Sequence, residues 1–592
     1  MALVNIKIEG ISYQVEDSLT VLQACRRCGY VVPSLCTFKG GKCSVASCRV
    51  CLVKIAGVKD PVHSCAYPVR EGLDISITDP EATLARRTNV ELLLSNHARN
   101  CQECDKNGKC ELLEVANLVM ARPSSFGGAQ TKTTIDEVAP AIIRDSGKCI
   151  LCGRCVEACK EAQGIAILGF ENRGFETVVA PTGNRSFADS PCIQCGQCVN
   201  VCPTGALMEK SDVAKIDEAM KAGKKVIVQV APAVRAAIGE EFGMKIGTPC
   251  TGKMVSALKR LGFYRVFDTN FAADLTIMEE ANELLERLTH KTGPIPMITS
   301  CSPGWINYCE YYYPELLDNL SSAKSPQSMM GAIIKSYYAE KNGLDPKDIF
   351  VVSVMPCTAK KYEVQRPQLV NGYPNVDVSI TTRELAKMIR RAGIMWNKLP
   401  DSEFDQDLIG DYTGAGVIFG VTGGVMEAAV RTAYYALTNT ELDPVEYTAV
   451  RGLAGVKEAS VTINDITLNI AVASGMKNAK ALLDEINAGT SKYHFIEIMG
   501  CPGGCVNGGG QPYVKPLFLP EEDEDILDTY IAKRASVLYH EDENRPLRRS
   551  HLNPQVKKLY DDFLGKPLSH KSEELLHTTY NKNREKYPEI KK

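Results

Sequence analysis

Apolar and polar positions alternate from Leu3 to Ile8, and apolar residues return from Leu52 to Ile55, which predicts a small β-rich unit at the N-terminus. After Pro203 the pattern changes. Apolar, β-branched runs such as VIVQV at 226–230 and VIFGV at 417–421 alternate with helical stretches, predicting an α/β organisation. IMEEANELLERL reads as one of those helices, and Glu280 and Glu283, three apart within it, share a face. Three further apolar runs lead directly into cysteines: PMITSCSPGW at 296–305, VVSVMPCTAKKYE at 351–363 and IEIMGCPGGCVNGGG at 496–510. Each cysteine segment sits where a strand should end. Ligands of open α/β sheets bind outside the carboxyl ends of the strands, so the three segments are expected to converge on one site.

At 592 residues the chain exceeds what one core can organise, and several domains are expected. A formal net charge of -3 excludes nucleic acid and an anionic membrane as the main partner. The N-terminus, MALVNIKIEG, lacks the segments of a signal peptide, and no apolar run reaches the roughly 18 residues of a membrane span. A cytoplasmic location follows as the expectation. In a reducing compartment, 24 cysteines are expected to bind metal rather than to cross-link the chain.

Their spacing divides them into groups. Cys36, Cys48, Cys51 and Cys65 form the first, although Cys43, Cys48 and Cys51 have the four-then-two spacing of plant-type ferredoxins and offer a rival set. Cys36 is preferred. His97, Cys101, Cys104 and Cys110 form the second, an Hx3Cx2Cx5C run whose spacing alone suits either a four-iron cubane or zinc. The third is a duplicated CxxCxxCxxxC, Cys149, Cys152, Cys155 and Cys159 repeated as Cys192, Cys195, Cys198 and Cys202. Such runs lend their fourth cysteine to the other cluster. Cys149, Cys152, Cys155 and Cys202 therefore hold one cubane, and Cys159, Cys192, Cys195 and Cys198 the other. Together the groups suggest a wire of four clusters. Cys25, Cys28, Cys250 and Cys309 fit no pattern and are expected as buried thiols, as is Cys43 unless the rival set holds.

The first two groups resemble the two-iron ferredoxin-like domain and the histidine-ligated four-iron site of hydrogenases and respiratory complex I. The three strand-end segments resemble the FeFe hydrogenase motifs TSCCPxW, MPCxxKxxE and ExMxCxxGCxxGGG, matching throughout except at Ser302. Beyond residue 511, the acidic run PEEDEDILD and a helix-rich tail resemble the small-subunit segment of these enzymes, expected to wrap the catalytic domain. The resemblance covers essentially the whole chain. It implies a multidomain α/β and α+β protein: a two-iron ferredoxin-like β-grasp domain (1–80), a cluster module with one histidine and three cysteine ligands (81–135), a bacterial-type two-cubane ferredoxin domain (136–212), an α/β hydrogenase catalytic domain (213–515) and the fused small-subunit segment (516–592).

The same resemblance implies one 2Fe–2S cluster, three accessory 4Fe–4S clusters and an H-cluster. In the last, a cubane on Cys357, Cys501, Cys505 and a fourth ligand at Cys301 or Ser302 is bridged through Cys505 to a diiron unit with carbonyl, cyanide and dithiolate ligands. Lys360 would hydrogen-bond a cyanide, with Ala231, Pro232 and Ser325 as pocket wall and Met355 and Met499 packed beside it. Glu280, Glu283 and Ser321 match the family's proton path. Gapless matching puts Cys301 on that path and Ser302 at a cubane ligand. Because iron–sulfur ligation prefers thiolate, the expectation is a small backbone shift that lets Cys301 ligate while Ser302 serves the path; the alternative is ligation by a Ser302 alkoxide.

The implied reaction is reversible oxidation of hydrogen to protons and electrons. No GxGxxG follows a strand, so this chain is not expected to bind nicotinamide or flavin itself. Its overall run resembles the catalytic subunit of NAD(P)-linked, electron-bifurcating hydrogenases, which implies flavin- and NAD(P)-binding partner subunits and ferredoxin. A stand-alone ferredoxin hydrogenase, a hydrogen sensor and a non-catalytic iron–sulfur subunit are the alternatives.

Overall fold

The computed structural model describes residues 2–37, 45–122, 125–370, 372–463, 466–514 and 526–581. Leu3–Ile8 turns back on Ile11–Glu16 through Glu9 and Gly10, both with positive φ, the backbone twist a tight hairpin requires. The first strand also runs parallel to Asp74–Ser76, which joins Leu52–Ile55 and then Val62–His63 in a five-stranded sheet. Ile6, Ile8, Val53, Ile55 and Ile75 pack beneath helix Val21–Arg27, whose start is fixed by a Thr20–Gln23 capping box.

Helices Pro80–Ser95 and Glu111–Leu118 form the next module, and their Val90, Leu94, Leu112 and Val115 share a core with Cys36, Cys48, Ile150 and Cys152. The ferredoxin domain follows, with helices Arg154–Glu161 and Gln197–Val201 in the two halves of the repeat. Each is preceded by a left-handed glycine, Gly153 or Gly196.

Two sheets build the catalytic domain. Arg265–Asp268, Lys225–Val230, Ile349–Met355 and Val378–Thr381 lie in that order, all parallel. In the second sheet Met297–Ile298, Phe495–Met499 and Ile466–Ser474 are parallel, and Val456–Ile463 closes the edge antiparallel. The run VIFGV at 417–421 is not a strand. Gly414–Val417 is α-helical and Ile418–Gly420 a tight 3-10 turn, buried against Ala233 and helix Ile526–Asn544. A short apolar run cannot by itself distinguish a buried strand from a buried helix.

The C-terminal segment wraps the catalytic domain through buried charges. Arg235 pairs with Asp268 at 2.6 Å and with Glu541 at 2.8 Å, Arg431 with Asp542 at 3.0 Å, and Arg534 with Glu240 at 2.6 Å. Residues 515–525, with most of the acidic run, lie outside the described residues. No described helix is long and apolar enough to cross a membrane.

Candidate active site and cluster relay

The three cysteine segments leave the carboxyl ends of Met297–Ile298, Ile349–Met355 and Phe495–Met499. Glycines bring the third segment into contact with its neighbours. A Cβ on Gly508 would stand 2.2 Å from the Pro356 carbonyl, and one on Gly509 2.2 Å from the Cys195 carbonyl. Only backbone fits there. Thr358 Oγ1 donates to the Gln194 carbonyl at 2.7 Å and Gln197 to the Asn507 carbonyl at 3.0 Å, tying the ferredoxin domain to the same spot.

Between the segments lies a cavity with about 770 Å³ of empty space, lined by Cys301, Ser302, Cys357, Cys501, Cys505 and Lys360. Ala231, Pro232, Met355 and Met499 form part of its wall. Pro326 and Gln327, from helix Pro326–Ile333, and Phe419, from the turn Ile418–Gly420, also line it, and nothing in the sequence marked them. Burial, then the charge of Cys357, pushes the Cys505 thiol up to about 12, and burial raises Cys357 and Cys501 as well. A cluster of buried thiols becomes a cluster of thiolates only with positive charge beside it. Among the described residues no three His, Cys, Asp or Glu side chains are arranged to hold a single metal ion. Thiols set around an open space fit a multinuclear cluster instead.

Lys360 Nζ donates to Glu363 at 2.6 Å, to Ser325 Oγ at 2.8 Å and to the Cys301 carbonyl at 3.2 Å. Ser325 and Ser328 both donate to Glu363. Ser325 therefore stands behind Lys360 and orients it, and is not among the residues lining the cavity, contrary to the expected wall position. Glu363, part of the motif but given no role from sequence, is the counter-ion that fixes the lysine.

Cys301 and Ser302 both line the cavity but meet different neighbours. Burial raises the Cys301 thiol, followed by the charge of Glu280 and then of Cys505. Ser302 Oγ instead accepts the Gly500 N–H at 3.0 Å, beside Cys501. Helix Pro303–Tyr312 starts directly after Ser302, and the Gly500 amide holds the Ser302 oxygen.

Glu280 and Glu283 lie on the inward face of helix Asn270–His290. Glu280 is fully buried, and burial followed by the Glu283 charge pushes its carboxyl up to about 8. Its Oε2 has no hydrogen-bond partner among the described residues. Ser321 donates to Glu283 at 2.7 Å and also hydrogen-bonds Glu280, and Arg287 donates to Glu283 at 2.6 Å. Cys301, Glu280, Ser321 and Glu283 thus form a row of exchangeable groups leading out of the cavity.

The duplicated cysteines are brought together in crossed sets. Cys149, Cys152, Cys155 and Cys202 line one cavity, and Cys159, Cys192, Cys195 and Cys198 another. Hydrogen bonds from Cys48 and then Cys65 hold the Cys36 thiol well below its ordinary range, and Cys65 does the same more weakly for Cys51. Cys43 lies outside the described residues. His97 is buried with its Nδ1 unpartnered among the described residues, while Cys101 is exposed. An orphaned buried imidazole nitrogen fits a metal ligand. Of the remaining thiols Cys25, Cys250 and Cys309 are buried, but Cys28 is only half-buried.

The cysteine groups branch around the ferredoxin domain. Ser47 donates to the Cys152 carbonyl at 3.3 Å, placing the Cys36 group beside the Cys149–Cys202 cavity. The His97 group meets the same cavity, since a Cβ on Gly205 would stand 2.7 Å from Cys104 Sγ and the Glu111 N–H donates to the Pro203 carbonyl at 2.9 Å. The Cys195 cavity in turn adjoins the strand-end site.

Comparison with known proteins agrees with this geometry. Residues 224–509 match the C-terminal domain of the iron-only hydrogenase large subunit, and 528–583 the iron hydrogenase small subunit. Residues 1–80 match a 2Fe–2S cluster-binding domain, 86–121 an iron–sulfur region of NADH-ubiquinone oxidoreductase G, and 148–206 a 4Fe–4S dicluster domain. The chain is 48% identical to the NADP-reducing hydrogenase subunit HndD of Solidesulfovibrio fructosivorans, over 98% of this chain and 99% of that protein. It is 44% identical to iron hydrogenase 1 of Clostridium pasteurianum, over 98% of this chain and all of the relative (100%). A solved structure of a variant of FeFe-hydrogenase HydA1 from Chlamydomonas reinhardtii superposes with a TM-score of 0.54 at 43% identity, covering 62% of this chain and 98% of that one. The chain belongs to the iron-only (FeFe) hydrogenase family, and it is a hydrogenase whose H-cluster domain is joined to 2Fe–2S and 4Fe–4S cluster domains.

Proposed function

We propose that this hydrogenase interconverts hydrogen with protons and electrons at a six-iron H-cluster, fed by one 2Fe–2S and three accessory 4Fe–4S clusters. The electrons are exchanged with ferredoxin and with a flavin-carrying, NAD(P)-reducing partner, in a cytoplasmic, electron-bifurcating hetero-oligomer. One observation carries the reaction: a single buried cavity meets a cubane-sized cysteine set at Cys195 on one side and a row of buried proton carriers at Glu280 on the other. Hydrogen turnover needs both exits at one place.

Cys357, Cys501 and Cys505 would hold the terminal cubane, and with it the diiron unit. When bound, that unit supplies the cleavage and formation of the hydrogen–hydrogen bond. Lys360, held by Glu363 and Ser325, presents a fixed cation to it. Ala231, Pro232, Met355 and Met499 keep water out, and Cys301, Glu280, Ser321 and Glu283 move protons. The partner assignment is supported by full-length likeness to a protein named as an NADP-reducing hydrogenase component.

Infrared spectroscopy of the fully matured protein, with hydrogen evolution from a reduced viologen, tests the reaction. Carbonyl and cyanide bands with turnover are expected; their absence overturns the reading. Purification from the native host is expected to bring flavin-containing, NAD(P)-reactive subunits, and a lone chain that reduces ferredoxin directly overturns the assembly.

A further inference from the structure

We propose that the fourth protein ligand of the terminal cubane in this chain is the hydroxyl oxygen of Ser302, with Cys301 left as a free thiol. The inference rests on the H-cluster reading above and concerns the one position where the three motifs depart from the family pattern.

Three observations carry it. Ser302 lines the same cavity as Cys357, Cys501 and Cys505. It also stands at the N-cap of helix Pro303–Tyr312, yet makes no side-chain cap. A serine there ordinarily turns its oxygen onto the helix amides; here the oxygen takes the Gly500 N–H at 3.0 Å instead. Gly500 permits that approach, because a Cβ on it would stand 3.1 Å from Ser302 Oγ. Cys301 lines the cavity too, but its carbonyl is held by Lys360 at 3.2 Å and it packs with the core around Ala273, Phe419 and Met499.

On binding, an Fe–O bond forms as the hydroxyl proton leaves to solvent, as the three thiol protons do, and no electron is transferred. An alkoxide is a harder donor than a thiolate and favours the more oxidised iron. The Gly500 N–H steadies its charge. The cubane is therefore lower in potential and gives up its iron more readily than one held by four thiolates.

The test uses the full chain with its accessory clusters, produced without the diiron unit, as wild type, Ser302→Cys, Ser302→Ala and Cys301→Ala. Iron and sulfide content, the rate at which a ferrous chelator removes the terminal cubane, and its midpoint potential by EPR-monitored titration are read. Ser302→Cys is expected to slow iron release by about tenfold, the scale of a single change in a metal's surroundings, and to raise the potential. Ser302→Ala is expected to speed release or lose the cubane, and Cys301→Ala to leave the iron content at the wild-type level. Loss of the cubane in Cys301→Ala with retention in Ser302→Ala overturns the proposal, as does a Ser302→Cys protein identical to wild type in release and potential. If neither wild type nor Ser302→Cys carries a terminal cubane, the H-cluster reading itself fails.

Discussion

Replacing Glu280 by glutamine should abolish most turnover while making the protein less sensitive to alkaline pH. The carboxyl titrates at about 8 in the folded protein against an ordinary value of 4.5, first through burial and then through the charge of Glu283. A folded pKa above the unfolded one means the group costs nothing below pH 4.5. Stability is then lost as pH rises toward 8, because the unfolded chain releases a proton that the folded chain keeps. At about 1.4 kcal/mol per pH unit, the cost of burying Glu280 is roughly 3 kcal/mol at pH 7. Glutamine has no such slope. Any constant cost of its amide cancels when one protein is compared across pH, so between pH 6 and 8 wild type should lose roughly 2 to 3 kcal/mol more than Glu280→Gln. The uncharged amide cannot pass a proton, and turnover should fall by about 10²- to 10⁴-fold. Denaturant melts at several pH values and viologen-driven hydrogen evolution, on equally loaded proteins, measure both. Parallel pH slopes, or a variant with more than about one tenth of wild-type turnover, would refute the reasoning.

Arg383→Met should loosen the ferredoxin domain from the catalytic domain. Arg383 donates to Glu209 at 2.8 Å, to Asn200 at 3.0 Å and to the Gly509 carbonyl at 2.7 Å, and its loss leaves a buried carboxylate unpaired, costing about 3–5 kcal/mol; limited proteolysis near residue 212 should become faster. Lys360→Met strands the buried Glu363, and accessory-cluster EPR should persist while hydrogen evolution falls by about 10²-fold or more. His97→Ala should remove one cubane signal without disturbing those of the duplicated cysteine sets; zinc in the wild-type protein would refute a cubane at that module.

The local chemistry was written in the sequence. The duplicated run repeats its cysteines at short, fixed separations, so its crossed sets could be read from spacing, whereas the strand-end cysteines, far apart along the chain, were marked by the apolar runs that precede them. The glycines of GCPGGCVNGGG marked where backbone must approach closely, although not that Gly509 meets the ferredoxin domain at Cys195. The sequence likewise placed Glu280 and Glu283 on one helix face, but not their burial, which raises Glu280.

Tertiary structure decided what depends on side-chain direction and on contacts between distant segments. VIFGV became helix because its burial is against Ala233 and Leu538, far away in sequence. Ser325 turned from wall to support because Glu363 lies between it and Ser328. Two separate modules pack on one cavity of the ferredoxin domain, which spacing along the chain does not reveal. Cys301 and Ser302 are adjacent in sequence, and spacing cannot say which faces the protons and which the iron. A helix start at Pro303 and one amide from Gly500 hold the Ser302 oxygen, and both constraints exist only in the folded chain.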